Sequence, residues 1–196
     1  MDWLLAVFGF ALTMSITPGP NNVMISASAA NFGVARTVPH MLGIAIGFPA
    51  MLVALGLGPG MALIAYPAAH QLLKAAGALY LVFLAWKVAT ASGVGASSAP
   101  GRPLTFLQAA LFQWLNPKAW VIALGALTAY TTVGGAVMTE TLIISAIFVP
   151  VSLLAVVAWG FGGVAVRRIL QAPAALRAFN WAMALLLLAS LVPLLF

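Results

Sequence analysis

The sequence contains no cysteine and very little charge. Only 5% of its 196 residues are charged, and only two of these, Asp2 and Glu140, are acidic. The absence of cysteine excludes disulfides, thiolate metal sites and thiol redox chemistry. Because a soluble surface needs roughly a quarter of its residues charged, the composition excludes a soluble domain. The 64% hydrophobic content instead predicts a membrane protein, with side chains that face lipid.

The sequence also lacks the common catalytic and nucleic-acid-binding patterns. It has no glycine-rich phosphate loop and no Ser-His-Asp arrangement, so we predict that the protein is not an enzyme. The net charge of +6 comes from basic residues dispersed between apolar runs, so nucleic acid is not an expected partner. His40 and His70 lie near predicted span ends and are expected to be interfacial. Without nearby carboxylates they make a poor metal site, so neither a metal nor a cofactor is expected.

Six apolar runs are each long enough to cross a lipid bilayer, which requires about 20 residues. Basic residues concentrate in the loops after the first, third and fifth runs. The positive-inside rule places these loops in the cytoplasm and both termini outside. The first run continues into further spans and has no basic region before it, so we do not expect a cleaved signal peptide. The predicted spans are Trp3–Ala30, Val38–Leu57, Gln71–Ala89, Leu104–Ala129, Thr139–Gly162 and Leu176–Leu195.

The two halves of the chain resemble each other. PNNVMI at Pro20–Ile25 aligns with PKAWVI at Pro117–Ile122, and PAMLVALGLG from Pro49 aligns with PVSLLAVVAWG from Pro150. Three spans per half would give the halves opposite orientations, as in inverted-repeat transporters. We therefore predict an all-α polytopic membrane protein of six transmembrane helices, with broken first and fourth helices. The predicted units are a three-helix repeat over residues 1–91, a cytoplasmic linker over 92–103 and a second three-helix repeat over 104–196.

Each half carries a helix-breaking motif near the middle of its first span. These motifs are TPGPNN at Thr17–Asn22 and NPK at Asn116–Lys118. Proline lacks an amide hydrogen and frees backbone carbonyls, which lipid cannot satisfy. Paired breaks at equivalent positions therefore predict a substrate site at the bilayer midplane. Lys118 is the formal charge that we place deep in a span, at a cost of about 3 kcal/mol.

The predicted role of Lys118 is to bind a substrate carboxylate. The amides of Asn21, Asn22 and Asn116, with the freed carbonyls, are predicted to bind the ammonium. The alternative is that Lys118 only ties the broken fourth helix to a carbonyl of the first. Gln113 joins the predicted site either as an amide that lines the pore or as a hydrogen-bond donor between helices.

The two motifs, together with HMLGIAIG, LKAAGALYLVFLAWK and LTFLQAALFQWLNPKAW, resemble the LysE/RhtB family of amino-acid exporters. The resemblance covers nearly the whole chain, and its pattern is most similar to the branch that exports cysteine, O-acetylserine and other neutral amino acids. It implies a small inner-membrane protein that expels amino acids or close derivatives. The residues that match the family's motifs are Pro18, Gly19, Pro20, Asn21, Asn116, Pro117 and Lys118.

The predicted function is alternating-access export of small neutral amino acids or derivatives across a bacterial-type cytoplasmic membrane. The lack of a mid-span carboxylate disfavours strongly cationic substrates and hard metal ions. It leaves open whether export is proton-coupled through Lys118 or facilitated. The alternatives are a metal-ion or other small-solute exporter of related fold and a non-transporting membrane scaffold. Gly43 and Gly47 predict close helix packing in the bundle or a homodimer seam, and Asn180 predicts an interhelical hydrogen bond.

Overall fold

The computed structural model describes residues 2–58, 67–90, 102–132, 136–169 and 172–191. Within these ranges the secondary structure is helical and contains no strand, which confirms the all-α prediction. Most of the predicted linker, residues 92–101, lies outside the described residues. The helices are α1 (Asp2–Ile16), α2 (Pro20–Phe32), α3 (Val34–Gly56), α4 (Pro67–Ala89), α5 (Phe106–Phe112), α6 (Pro117–Tyr130), α7 (Val137–Ile169) and α8 (Pro173–Ala189). A 3-10 turn, Gln113–Leu115, follows α5 directly.

Among the described helices, α3 and α7 are long and apolar enough to cross a membrane on their own. Helices α1 and α2 pass the same test only as a pair, which is bent by 52° at the residues between them. Shorter apolar stretches lie in α4, in α5 with its 3-10 turn, and in α8. The count of six spans therefore stays a prediction. Helix α7 continues to Ile169, beyond the predicted end of the fifth span at Gly162.

Proline sets the positions of both breaks. Pro20 and Pro117 are the first residues of α2 and α6, where the missing amide hydrogen removes no intrahelical bond. Pro49 and Pro150, by contrast, lie inside α3 and α7 without ending them. A proline alone is therefore not enough to end a helix in this fold. Each break has, in addition, a neighbouring residue with extended backbone, Gly19 in one and Asn116 in the other.

Helix α7 lies at the centre of the fold, parallel to α1 and α2 and antiparallel to α3. Its antiparallel packing on α3 is close, since a Cβ on Gly56 would lie 2.6 Å from Thr141 and one on Gly160 would meet Met41. Gly163 packs directly on the backbone of Ser26 in α2. These directions determine which helix ends lie together at each end of the bundle, and the two ends differ in charge.

We call one end of the bundle the acidic end and the other the basic end. At the acidic end, the indole of Trp3 donates to the carbonyl of Tyr130 and Thr132 donates to the carboxylate of Glu140. The basic end includes the start of α3 and the last turn of α7. The charged residues of these two segments are Arg36, Arg167 and Arg168.

Two hydrophobic clusters fill the bundle, one on each side of the breaks. The acidic-end cluster includes Val7, Phe48, Leu52, Leu55, Ile144 and Phe148. The basic-end cluster includes Ile25, Met41, Ile44, Leu81, Phe112, Val156 and Leu187. The breaks therefore lie at the boundary between the two hydrophobic clusters, and a cavity at this boundary interrupts neither cluster.

Polar and small residues between helices behave largely as predicted. Gly43 and Gly47 pack directly on α5, against Phe106 and Ala110, which confirms the prediction of close packing within the bundle. The homodimer stays a prediction. Asn180 forms a reciprocal amide pair with Asn31, at 2.8 and 3.1 Å, which confirms its interhelical role.

His40 packs inside the bundle, and its predicted interfacial position stays a prediction. Its side chain is only 2% exposed. Helix α3 begins at Val34, before the predicted span start at Val38, so His40 lies in the second turn of a packed helix. The side chain of His70 lies outside the described part of the structure.

Candidate functional site

A cavity of about 50 Å³ lies between the two breaks. This volume holds only a few water molecules. Its wall comes from five helices and from both halves of the chain. The lining residues are Met14, Ser15, Gly19, Asn21, Asn22, Ile44, Phe48, Asn116, Lys118, Ala119, Ile122, Phe148, Ser152, Ala155 and Val156.

At the first break, Thr17–Gly19, side chains take the place of helical backbone donors to the neighbouring carbonyls. The side-chain amide of Asn22 donates to the carbonyls of Ser15, at 2.7 Å, and Thr17, at 2.9 Å. The indole of Trp159, on α7, donates to the carbonyl of Ile16 at 3.0 Å. Asn22 therefore stabilises the bent backbone and does not present a free amide to the cavity.

Lys118 reaches from the second break to the first. Its Nζ donates to the carbonyl of Thr17 at 2.7 Å and to that of Pro18 at 3.2 Å. A Cβ on Gly19 would lie 2.6 Å from Lys118 Cδ. Gly19 has extended backbone, with φ of −179°, which any residue adopts. Glycine is therefore needed here for space, so that the lysine side chain can lie across the break.

The second break is confined to Asn116. Its side-chain oxygen accepts from the backbone amide of Lys118 at 3.1 Å and so caps α6. Its backbone amide donates to the backbone carbonyl of Gln113, and its own carbonyl accepts from the backbone amide of Ala119 at 3.0 Å. These local bonds hold the first turn of α6, and with it Lys118, in a fixed position.

Asn21 and Gln113 form a second tie between the halves. Their side-chain amides are reciprocally bonded at 2.9 and 3.3 Å, and Gln113 also donates to the carbonyl of Ala109 at 2.8 Å. Gln113 is fully buried and is not among the lining residues. Gln113 was predicted either to line the pore or to donate a hydrogen bond between helices, and the structure shows the hydrogen bond between helices.

The structure brings five of the nine predicted site residues to the cavity wall. These are Gly19, Asn21, Asn22, Asn116 and Lys118. Gln113 and the prolines of the two breaks are not among the lining residues, and the prolines determine the backbone path at the breaks. The prolines are Pro18, Pro20 and Pro117.

Several residues of the site were not predicted. Ser152 and Trp159 lie on α7, which carries no breaking motif, and Phe48 and Phe148 close the wall towards the acidic end. The available signal was a recurrence of hydroxyl residues in the apolar fifth span, at Thr141, Ser145 and Ser152. This spacing places them on one helix face.

Chemically, the site offers one cation, several amides and a set of backbone carbonyls. None of the described lining residues is acidic, and the described part of the chain contains no group of three His, Cys, Asp or Glu side chains that could hold a metal. A cation beside carbonyl acceptors suits a ligand that carries both an anionic and a cationic group.

Comparisons with known proteins place the chain in a family of transporters. The sequence profile of the LysE type translocator family matches residues 12–195. The cysteine/O-acetylserine efflux protein of Escherichia coli O139:H28 (strain E24377A / ETEC) is 30% identical over 186 residues, 94% of this chain and 93% of the relative. Those of Escherichia coli K12 and Shigella sonnei (strain Ss046) are 29% identical over 169 residues, 86% of each chain. No solved structure matches the chain.

Proposed function

We propose that this chain, which belongs to the LysE type translocator family, exports small neutral amino acids or close derivatives by alternating access. The chain is a membrane protein with apolar helices. The observation that carries the proposal is the contact of Lys118 with the two carbonyls of the first break, at the wall of a cavity between two broken helices. The relatives named as cysteine/O-acetylserine efflux proteins support the substrate class.

The proposed binding step is an exchange of partners at Lys118. In the observed state its ammonium is bonded to the carbonyls of Thr17 and Pro18. A substrate carboxylate is a stronger partner for an ammonium than a neutral carbonyl is. When the carboxylate binds Lys118, the two carbonyls become free to accept from the substrate ammonium. Both charges of the zwitterion are then paired without any acidic residue.

The same geometry favours small, neutral side chains. The described cavity wall contains no carboxylate to pair with a cationic side chain, and an unpaired buried charge is costly. Phe48 and Phe148 form an apolar wall beside the site. Because the cavity holds only a few waters, the bundle must widen to admit an amino acid, and a small substrate requires the least widening.

We also propose that the halves are inverted repeats. Helix α3 packs on α7 and α4 packs on α8, while α1 and α2 contact α7 as α5 and α6 contact α3. This exchange of contacts between halves is the pattern expected of a two-fold repeat, and it supports six spans.

The proposed topology follows from the charges of the two ends. Asp2 and Glu140 lie at the acidic end, and Arg36, Arg167 and Arg168 lie at the basic end. The positive-inside rule then orients the basic end towards the cytoplasm and both termini outwards across the inner membrane. A reporter fused at residue 96 is expected to be cytoplasmic, and a periplasmic signal there would contradict the orientation.

The decisive experiment measures amino-acid efflux from cells or vesicles that contain Lys118→Met, with Lys118→Arg as the matched control. Met keeps most of the apolar stem but removes the charge, so we expect a loss of transport of at least about 100-fold, since an unpaired carboxylate in a buried site costs about 3 kcal/mol or more. Arg keeps the charge and should retain part of the flux. Full transport by the Met variant would remove Lys118 from the mechanism.

A second variant tests the partner exchange. In Gly19→Ala the new Cβ overlaps the position of Lys118 Cδ, so the lysine side chain must shift and its bonds to the carbonyls are disturbed. We expect transport to fall severalfold while the protein inserts normally, because glycine and alanine are both compatible with extended backbone at this position. Unchanged transport would show that the observed position of Lys118 is not part of the cycle. Flux with and without an imposed pH gradient tests proton coupling in the same vesicles.

A further inference from the structure

In the described part of the chain, four buried side-chain polar atoms have no hydrogen-bond partner, and all four lie on α3 or α7. They are both ring nitrogens of His40, Oγ1 of Thr141 and Oγ of Ser145. A buried polar group without a partner is costly, and few occur in folded proteins. Such groups are positions at which a partner from outside the protein, such as water or a passing ligand, can bind.

The two hydroxyls on α7 do not behave like other hydroxyls in these helices. The hydroxyls of Thr37, Thr90 and Thr131 each donate to the carbonyl four residues earlier, at 2.9, 2.8 and 2.6 Å. That bond is open to a helical serine or threonine in general, yet Thr141 and Ser145 do not make it. Their hydroxyls are therefore turned away from their own backbone.

Thr141, Ser145 and Ser152 form a row along one face of α7. Thr141 and Ser145 are one helical turn apart, and Ser152 follows two turns later at the cavity wall. The row runs from the cavity to the acidic end, where Thr141 contacts Gly56 of α3. It follows the seam where α3 and α7 pack.

Aromatic rings interrupt this row next to the cavity. Phe148 lies between Ser145 and Ser152, and its ring packs edge-on against Phe48 with centroids 4.9 Å apart. Both rings line the cavity. The ring of Phe10 packs on Phe148 from the side of α1, at 6.4 Å. The cavity is therefore closed towards the acidic end by side chains alone, and rotation of these rings would connect it to the unpartnered hydroxyls.

We propose that the amino acid leaves the cavity along the α3–α7 seam, passes Phe48 and Phe148, and binds a second subsite formed by the hydroxyls of Ser145 and Thr141. This inference rests on the proposed function and adds a site to it. A hydroxyl both donates and accepts, so it suits the carboxylate and the ammonium of a zwitterion alike. Being uncharged, it binds weakly enough to release the substrate. His40 lies on the other side of the cavity and is not part of this subsite.

The first test uses the absence of native cysteine. Ser145→Cys and Thr141→Cys are treated with a charged, membrane-impermeant methanethiosulfonate reagent in right-side-out and inverted vesicles. The controls are Ile144→Cys and Leu142→Cys, because Ile144 is 0% exposed in the apolar cluster and Leu142 is 50% exposed on the outer surface. We expect the two seam positions to react about tenfold faster than both controls, since a packed or lipid-facing thiol reacts slowly. Equal rates would overturn the proposal.

The second test separates a transport role from a structural one. Thr141→Val and Ser145→Ala remove hydroxyls that bond to no other group of the protein, so the thermal unfolding midpoint should stay the same or rise. The substrate concentration that gives half-maximal efflux should rise roughly threefold or more, as for a lost neutral hydrogen bond. Thr37→Val is the control, because its hydroxyl is bonded, and it should lower the midpoint.

The outcomes distinguish failure of this inference from failure of the proposed function. If the Thr141 and Ser145 variants lower the midpoint as Thr37→Val does, the hydroxyls are structural and the subsite is overturned. If they leave efflux unchanged, it is also overturned. If the unsubstituted protein transports no amino acid, the proposed function fails, while the labelling rates still show whether the seam opens to water.

Discussion

The two breaks differ in where their hydrogen-bond partners come from. The carbonyls at the first break accept from Asn22, Trp159 and Lys118, which lie on α2, α7 and α6. The second break is satisfied locally, because Asn116 caps the helix that follows it and its backbone continues the chain of bonds. The second break is therefore a rigid support for Lys118. The first is held by Asn22 of the helix that follows it and by side chains of α6 and α7.

The sequence difference between the breaks explains this contrast. The first break contains two prolines around Gly19, so two backbone donors are lost and the residue before α2 has no side chain to cap it. The second contains one proline, and Asn116 supplies the cap. The carbonyls at the first break therefore accept from the side chain of Asn22 and from side chains of α6 and α7, whereas the Asn116 cap acts within one turn.

The largest effect on stability is expected from Asn22→Leu. The substitution preserves the approximate size of the side chain but leaves the carbonyl of Ser15 without the donor that it has now, and removes one of two donors from Thr17. We expect a loss of about 2 kcal/mol, the typical penalty for a buried polar group left unsatisfied. Chemical unfolding in detergent micelles measures it. A loss no larger than that of the next variant would contradict the contrast between the breaks.

A smaller effect is expected from Asn116→Ala at the second break. It removes one capping bond to the amide of Lys118, which is worth about 1 kcal/mol. Asn116→Ser is the matched control, since serine caps helices about as well as asparagine, and it should remain within a few tenths of a kcal/mol of the unsubstituted protein. If the serine variant loses as much as the alanine variant, the cap is not what Asn116 contributes.

The positions of the breaks were predictable because their signals are local. Proline, glycine and asparagine act on the backbone of their own neighbourhood, and TPGPNN and NPK end and start helices where expected. The partners were not predictable in the same way. Trp159 bonds to a carbonyl 143 residues away in the chain, and such a pairing depends on how two helices are rotated against each other.

The same limit explains the outcomes for His40 and Gln113. The apolar run gives a span only to within a few residues: the predicted span starts at Val38, whereas α3 begins at Val34 and His40 is buried in its second turn. For Gln113, the residue type allowed either a pore-lining or an interhelical amide. The choice depends on Asn21 lying opposite it, which is a tertiary contact. The role of Lys118 towards a substrate stays a prediction, since a bond to carbonyls in the resting state is compatible with both of its predicted roles.

The smallest effect is expected from Trp159→Phe, which keeps an aromatic ring but removes the donor to Ile16. A single interhelical hydrogen bond in a membrane protein averages about 0.6 kcal/mol, and we expect a loss of that size. The informative measurement is its combination with Lys118→Met. Because the carbonyls of Ile16 and Pro18 belong to the same break, loss of both donors should cost more than the sum of the single losses.

Trp159→Phe combined with Trp3→Phe is the control pair, because the indole of Trp3 donates to Tyr130 at the acidic end, away from both breaks, and the two effects should add within about 0.5 kcal/mol. Additivity in both pairs would mean that the partners of the first break act independently. The hydrogen bonds to this break would then not be cooperative. Excess loss only in the pair that shares the first break would show that the partners of that break act together, since removing one partner would make the next one more important.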